Sequence, residues 1–118
     1  MRLLLVEDDA DSREMMTLLL EQCGADVTPA VNAAVALKKL DEMEHDAVVA
    51  DVGLPQMDGY TLMTKIREKG LATPAVALTG YASPEDRQQA LEAGFDDHLG
   101  KPVSPETLVQ VLGGVIRR

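Results

Sequence analysis

The sequence predicts a doubly wound α/β sheet, five parallel strands with helices on both faces, and three observations carry that expectation. The short runs Leu3-Leu4-Leu5-Val6, Ala47-Val48-Val49-Ala50 and Ala75-Val76-Ala77-Leu78 are apolar throughout. Without polar alternation they read as strands covered on both faces. Helical segments with their own start and stop signals separate the runs. Special polar residues also stand just past the ends of the runs: Glu7-Asp8-Asp9, Asp51, Thr79 and, beyond a fourth and shorter stretch, Lys101.

The first strand is placed at about 2–6. The first helix, about 9–23, is expected to bury Met15, Leu18, Leu19 and Gln22, with Gly24 stopping it and Cys23 packed at its end. A short strand at about 26–29 precedes Asn32, a helix cap, and a helix carrying Val35, Ala36, Leu37 and Leu40. The third strand covers 47–50 and ends at Asp51. A turn-rich loop, Gly53-Leu54-Pro55-Gln56-Met57-Asp58-Gly59, leads to a helix over about 58–69 that buries Leu62, Met63 and Ile66 and stops at Gly70. The fourth strand is 75–78. Ser83-Pro84-Glu85-Asp86 then combines an N-cap, proline at the first position and acids in the first turn, for a helix ending near Gly94. The fifth strand falls at about 96–99, and Ser104-Pro105-Glu106 repeats the start signal for the last helix. Strand and helix thus alternate five times, and at this length the flavodoxin-like order 2-1-3-4-5 is the usual solution.

A chain of 118 residues suits one domain over 1–118 with one core. Aromatic residues make up only 3%, so Leu, Val, Ala, Ile and Met must build that core. The net charge of −9 argues against nucleic acid as a direct partner, because a phosphate backbone demands clustered Lys and Arg. The one cysteine cannot form an internal disulfide, and no stretch approaches the roughly 20 apolar residues of a membrane span. No signal peptide is visible either, so a cytoplasmic location is expected.

In an open parallel sheet the loops beyond the strand C-termini share one edge, where ligands bind. Three acids, one hydroxyl and one ammonium should therefore converge in one cleft. Mg²⁺ prefers oxygen donors and keeps some of its water. Asp8 and Asp51 are the expected direct ligands, Glu7 acts through water, and the backbone carbonyl of Gly53 completes the set. Asp9 is expected to cap the first helix instead. Asp51 is the candidate nucleophile, since a metal shared with a phosphoryl group offsets the repulsion between the two anions. Thr79 and Lys101 offer fixed donors for the remaining phosphoryl oxygens. These features describe a phosphoryl-transfer site.

The motifs Val6-Glu7-Asp8-Asp9, Asp51 through Gly59, Leu78-Thr79-Gly80-Tyr81, Gly94-Phe95-Asp96-Asp97 and Lys101-Pro102 together resemble the receiver domain of two-component response regulators. The resemblance spans essentially the whole chain. It implies a phosphorelay signalling module in which a histidine kinase or histidine phosphotransfer protein donates a phosphoryl group to Asp51. Glu7 and Asp8 become the acidic metal pair, Thr79 the switch hydroxyl and Lys101 the phosphate-binding lysine. The response would be a changed partner affinity on the face built from the fourth helix, fifth strand and fifth helix, in a monomer or a weak phosphorylation-dependent dimer. The stretch from Ala77 to Phe95 looks most like receivers attached to hybrid histidine kinases, which would make the chain a segment of a longer protein.

One position departs from the family pattern. Three residues before the lysine, where Tyr or Phe is usual, stands His98. It reads either as a switch residue with altered packing or as a half-exposed histidine with little part in signalling. Tyr81 either shields the acyl phosphate from water or serves as a partner contact. Tyr60 is expected to pack, and His45 to lie on the surface. A small-molecule phosphatase is disfavoured, because Gly53 occupies the place of its usual second acid and the chain lacks room for a cap. A kinase is excluded by the absence of a nucleotide-binding glycine loop. The remaining alternative is a receiver-like interaction module that works without phosphate.

Overall fold

A computed structural model describes residues 1–80 and 83–117 of the chain. Ten elements alternate along it: β1 (Arg2–Val6), α1 (Ala10–Gln22), β2 (Asp26–Ala30), α2 (Ala33–Glu42), β3 (Ala47–Asp51), α3 (Gly59–Glu68), β4 (Ala75–Thr79), α4 (Pro84–Ala93), β5 (Asp97–Gly100) and α5 (Pro105–Ile116). The five strands are all parallel, in the order β2-β1-β3-β4-β5. This is the doubly wound, flavodoxin-like arrangement the apolar runs predict.

Every residue of Leu3–Val6, Ala47–Ala50 and Ala75–Leu78 is buried, because successive side chains of one strand enter opposite cores. Leu4, Val6, Val48, Ala50, Ala75 and Ala77 pack with Leu62, Met63 and Ile66 of α3, Ala33 and Ala36 of α2 and Ala90 of α4. Leu3, Leu5, Val49, Val76 and Leu78 pack with Leu20 of α1 and with Leu108, Leu112 and Val115 of α5. A sheet sealed on both faces leaves only its edges for chemistry.

The expected caps form at Asp9, Asn32, Ser83 and Ser104, and Asp58 adds one for α3: each side chain accepts from the backbone N–H three residues on. Gly94 closes α4 at φ +115°, a conformation in which a side chain would be strained. Next to it, Arg67 donates to the carbonyls of Gly94, Leu71 and Thr73 and to the Asp96 carboxylate, tying the end of α3 to the segments that lead into β4 and β5.

Several expectations need correction. Strands β2, β3 and β4 each run one residue further, so Asp51 and Thr79 belong to the ladder, while β5 is shifted to Asp97–Gly100. Met15 and Leu18 are 63% and 61% exposed, and Gln22 is exposed too; α1 buries Leu20 and leans Met16 on the core. Five apolar residues within positions 15–20 cover too much of the helix circumference for periodicity to fix its phase. Cys23 is exposed and does not pack. His45 is half-buried, with both ring nitrogens shielded from solvent, and burial pushes its imidazole below the usual histidine range. Tyr60 packs against the α2–α3 side of the core as expected. Tyr81 lies outside the described residues.

Candidate functional site

The C-terminal edge of the sheet assembles the polar residues. Strand β1 ends at Val6, and Glu7 continues its direction because its N–H donates to Ala30 O at 3.1 Å. Its side chain is buried at the foot of the cleft, whereas Asp8 is exposed at the rim. Asp51, the last residue of β3, is half-buried between them. Carboxylate oxygens of Glu7, Asp8 and Asp51 all lie within 4.8 Å of one another.

Lys101 enters from the end of β5. Its Nζ donates to Asp51 Oδ2 at 2.7 Å and to Glu7 Oε1 at 3.0 Å. The lysine is held in place through its backbone, since its N–H donates to Thr79 O at 2.7 Å. The other Asp51 oxygen, Oδ1, accepts from the Gly53 N–H at 2.9 Å. Both carboxylate oxygens of Asp51 are therefore fixed, one by an ammonium and one by backbone.

The charges respond unequally. Burial alone would raise the Asp51 carboxyl, but the bonds from Lys101 and the Gly53 N–H outweigh it and hold the group below the usual carboxylate range. Glu7 is pushed up, because burial and the nearby Asp51 oppose its charge more than Lys101 relieves it. Burial disfavours the Lys101 ammonium, yet its two carboxylate partners win and raise it. At neutral pH this favours an ionised Asp51 beside a protonated lysine.

Gly59 sets how close α3 comes to this edge. Its N–H donates to Val52 O at 3.0 Å, and a Cβ there would sit 2.7 Å from Val52 Cα and 2.8 Å from Asp51 O. Only glycine lets the helix start directly beneath the residue that carries the central carboxylate. Between them, Met57 N–H reaches back to Pro55 O around Gln56, whose φ is +65°, so the loop turns tightly there.

Thr79 is buried, and in the β4–β5 register it stands beside Gly100, two residues along from the Ala77–His98 pair. Alternation along the strands puts His98 on the same face as Ala77 and Thr79. The imidazole is only 6% exposed, so the half-exposed reading fails. Its Nε2 is buried with no hydrogen-bond partner among the described residues.

Two features were not anticipated. Arg13 of α1 donates from Nη1 to Glu7 O at 3.0 Å and to Asp8 O at 3.2 Å, binding the corner that carries the acidic pair. A groove of about 440 Å³ runs from Glu7 and Lys101 between α1 and the Lys101–Val103 segment, lined by Met15, Met16 and Leu19. A cation one turn after an acidic pair and surplus apolar residues on α1 were the available signals in the sequence.

The family model for the response regulator receiver domain matches residues 3–113. The chain belongs to the response regulator receiver domain family. Such domains are signalling modules of two-component systems rather than enzymes in the ordinary sense. An uncharacterized 14.6 kDa protein of Leptolyngbya boryana is 46% identical to this receiver over 95% of the chain and 87% of its own length. The transcriptional regulatory protein TrcR of Mycobacterium tuberculosis is 37% identical, and the chain spans 46% of it. For the sensor histidine kinase RcsC of Salmonella typhimurium the identity is 38% and the share of that protein 12%. Among solved structures, the receiver domain of the Francisella response regulator 1452 superposes with a TM-score of 0.93 at 28% identity, covering 99% of this chain and 97% of that one. Vibrio cholerae chemotaxis protein CheY4 gives 0.91 at 32% identity, with 97% of each chain covered. Among the described residues no helix is long and apolar enough to cross a membrane.

Proposed function

We propose that this receiver accepts a phosphoryl group from a phosphohistidine onto the Asp51 carboxylate and converts the modification into a changed binding face. The observation that carries the reading is the pairing of an ionised, doubly held Asp51 with Lys101 inside a three-carboxylate cluster. An Asp51 oxygen attacks phosphorus as the N–P bond to the donor imidazole breaks, so the acyl phosphate forms and the imidazole leaves with the bonding pair. Lys101 passes from the carboxylate to a phosphoryl oxygen and stays charged throughout, which suits its raised affinity for the proton. The Thr79 hydroxyl takes a second phosphoryl oxygen.

Receiver domains generally bind Mg²⁺ in an acidic pocket, and the donor set here fits a hard cation: Asp8 and Asp51 as direct ligands, the Gly53 carbonyl as a third, and Glu7 through water. The ion supplies charge neutralisation between the carboxylates and the phosphoryl group. The apolar groove beside α1 opens onto Lys101, which gives a donor protein a surface next to the acceptor.

Movement of Thr79 toward phosphate draws the β4–α4 connection with it. His98, buried on the same side of the sheet, adjusts with that movement, and the face formed by α4, β5 and α5 changes its affinity for a downstream protein. The same face would serve a weak phosphorylation-dependent dimer. A phosphate-independent interaction module leaves this polar convergence without a role. The test is the intact mass of the protein after incubation with Mg²⁺ and acetyl phosphate, beside Asp51→Asn. One added phosphoryl group on wild type alone supports the proposal. Stoichiometric labelling of the variant places the acceptor elsewhere.

A further inference from the structure

The acidic pair sits on a two-residue corner, and Glu7 and Asp8 can present their carboxylates to the cleft only if that corner keeps one backbone conformation. The structure contains a device for this. Glu7 N–H is tied to Ala30 O at 3.1 Å, the Asp9 side chain accepts from the Ser12 N–H at 2.9 Å, and the carbonyls of Glu7 and Asp8 lying between these anchors both accept from Arg13 Nη1. Arg13 is itself fixed within α1, where its own N–H donates to Asp9 O and its carbonyl accepts from Thr17 Oγ1. The guanidinium thus bridges two successive peptide oxygens from a rigid helix.

We propose that Arg13 is a positioning residue of the divalent-cation site, holding the Glu7–Asp8 corner so that its carboxylates face Asp51. The inference rests on the reading of the acidic cluster as a Mg²⁺ site. Arg13 touches none of the carboxylate oxygens. It acts through the two backbone carbonyls, as outer-shell partners orient the ligands of other metal sites. With Arg13 removed, the carbonyls turn to water and the exposed Asp8 gains freedom that cation binding must then remove.

The sign of the effect separates positioning from simple electrostatics. Arg13 carries a positive charge next to an acidic site, so by Coulomb attraction alone its loss should tighten the binding of a divalent cation. Positioning predicts the reverse. Titration calorimetry with Mg²⁺ at constant ionic strength, on the whole chain, reads the difference. Arg13→Ala is expected to raise the Kd on the order of tenfold, in the range typical of lost outer-shell partners. Arg13→Lys keeps the charge on a shorter, differently shaped donor and should fall between the two. Melting curves of the same samples establish that each is folded. Binding by folded Arg13→Ala as tight as wild type, or tighter, overturns the role of Arg13. Should that variant not fold, Arg13→Lys carries the test, and an unchanged Kd counts against the proposal. Failure of wild type to bind Mg²⁺ overturns instead the cation-site reading beneath it.

Discussion

Gly59→Ala is the substitution for which the structure gives the most definite arithmetic. The added Cβ would meet Val52 Cα at 2.7 Å and Asp51 O at 2.8 Å, against ordinary contacts of 3.4 Å or more. Both obstacles are backbone atoms, so no rotamer change relieves them, and the start of α3 must part from the end of β3 by roughly 0.7 Å. Such overpacking costs about 3 kcal/mol, offset by at most about 1 kcal/mol from replacing a helical glycine, which leaves about 2 kcal/mol of destabilisation. With about 2.1 cal/mol/K of unfolding entropy per residue over 118 residues, the midpoint should fall by about 8 °C. Gly114→Ala is the internal control. Its Cβ meets nothing within 4 Å, so helix propensity acts alone and the melting temperature should rise by about 2 °C near the fraying end of α5. Calorimetric melting of the two variants beside wild type gives the comparison. A Gly59→Ala midpoint within about 2 °C of wild type would refute the claim that backbone contact at this point sets the position of Asp51.

Other perturbations address the charges. Burial holds the Glu7 carboxyl above its usual 4.5, so its ionised form opposes folding at neutral pH and the penalty fades as pH falls through the folded pKa. Glu7→Gln should therefore melt higher than wild type at pH 7 without Mg²⁺, by a margin that narrows with acidification, and should gain less than wild type when Mg²⁺ is added. For His45 the folded pKa lies below the ordinary 6.5, so the unfolded chain takes up a proton first and stability is lost as pH falls from about 6.5 toward the folded value. His45→Gln should show a smaller difference between urea midpoints at about pH 7.5 and about pH 5.5 than wild type does. Lys101→Ala should still accept phosphate on Asp51, at a reduced rate, while losing the phosphorylation-dependent change at the α4–β5–α5 face; an intact response, read by amide chemical shifts there, removes Lys101 from the switch.

The parts of this fold that were legible in the sequence are those under one dominant physical constraint. Val48, Val49, Val76 and Ala77 must be covered on both faces, which makes the strands conspicuous, and Ser83-Pro84 and Ser104-Pro105 have few roles other than starting helices. Asp51, Thr79 and Lys101 could be assigned to one edge because parallel topology brings every strand's C-terminal end there. The phase of α1 was not legible. Met15, Met16, Leu18, Leu19 and Leu20 satisfy more than one face, and only packing against β1, β2 and α5 shows that Leu20 goes inward while Met15 and Leu18 stay exposed. The partial burial of His45 escaped and that of His98 stayed open between two readings, since a histidine's local sequence does not say whether its neighbours cover it. Arg13, six residues from Glu7, marked a cation near the acidic pair, but its spacing did not say that the guanidinium would turn back onto that residue's carbonyl.

The central claim is that Asp51 is the phosphoryl acceptor, and the most direct measurement locates the acyl phosphate itself. The protein is treated with Mg²⁺ and acetyl phosphate, reduced with borohydride to convert an aspartyl phosphate to homoserine, and digested for peptide sequencing by mass spectrometry. Homoserine is expected at position 51, with unmodified aspartate at positions 8 and 9. Homoserine at Asp8 or Asp9 with residue 51 unchanged would contradict it.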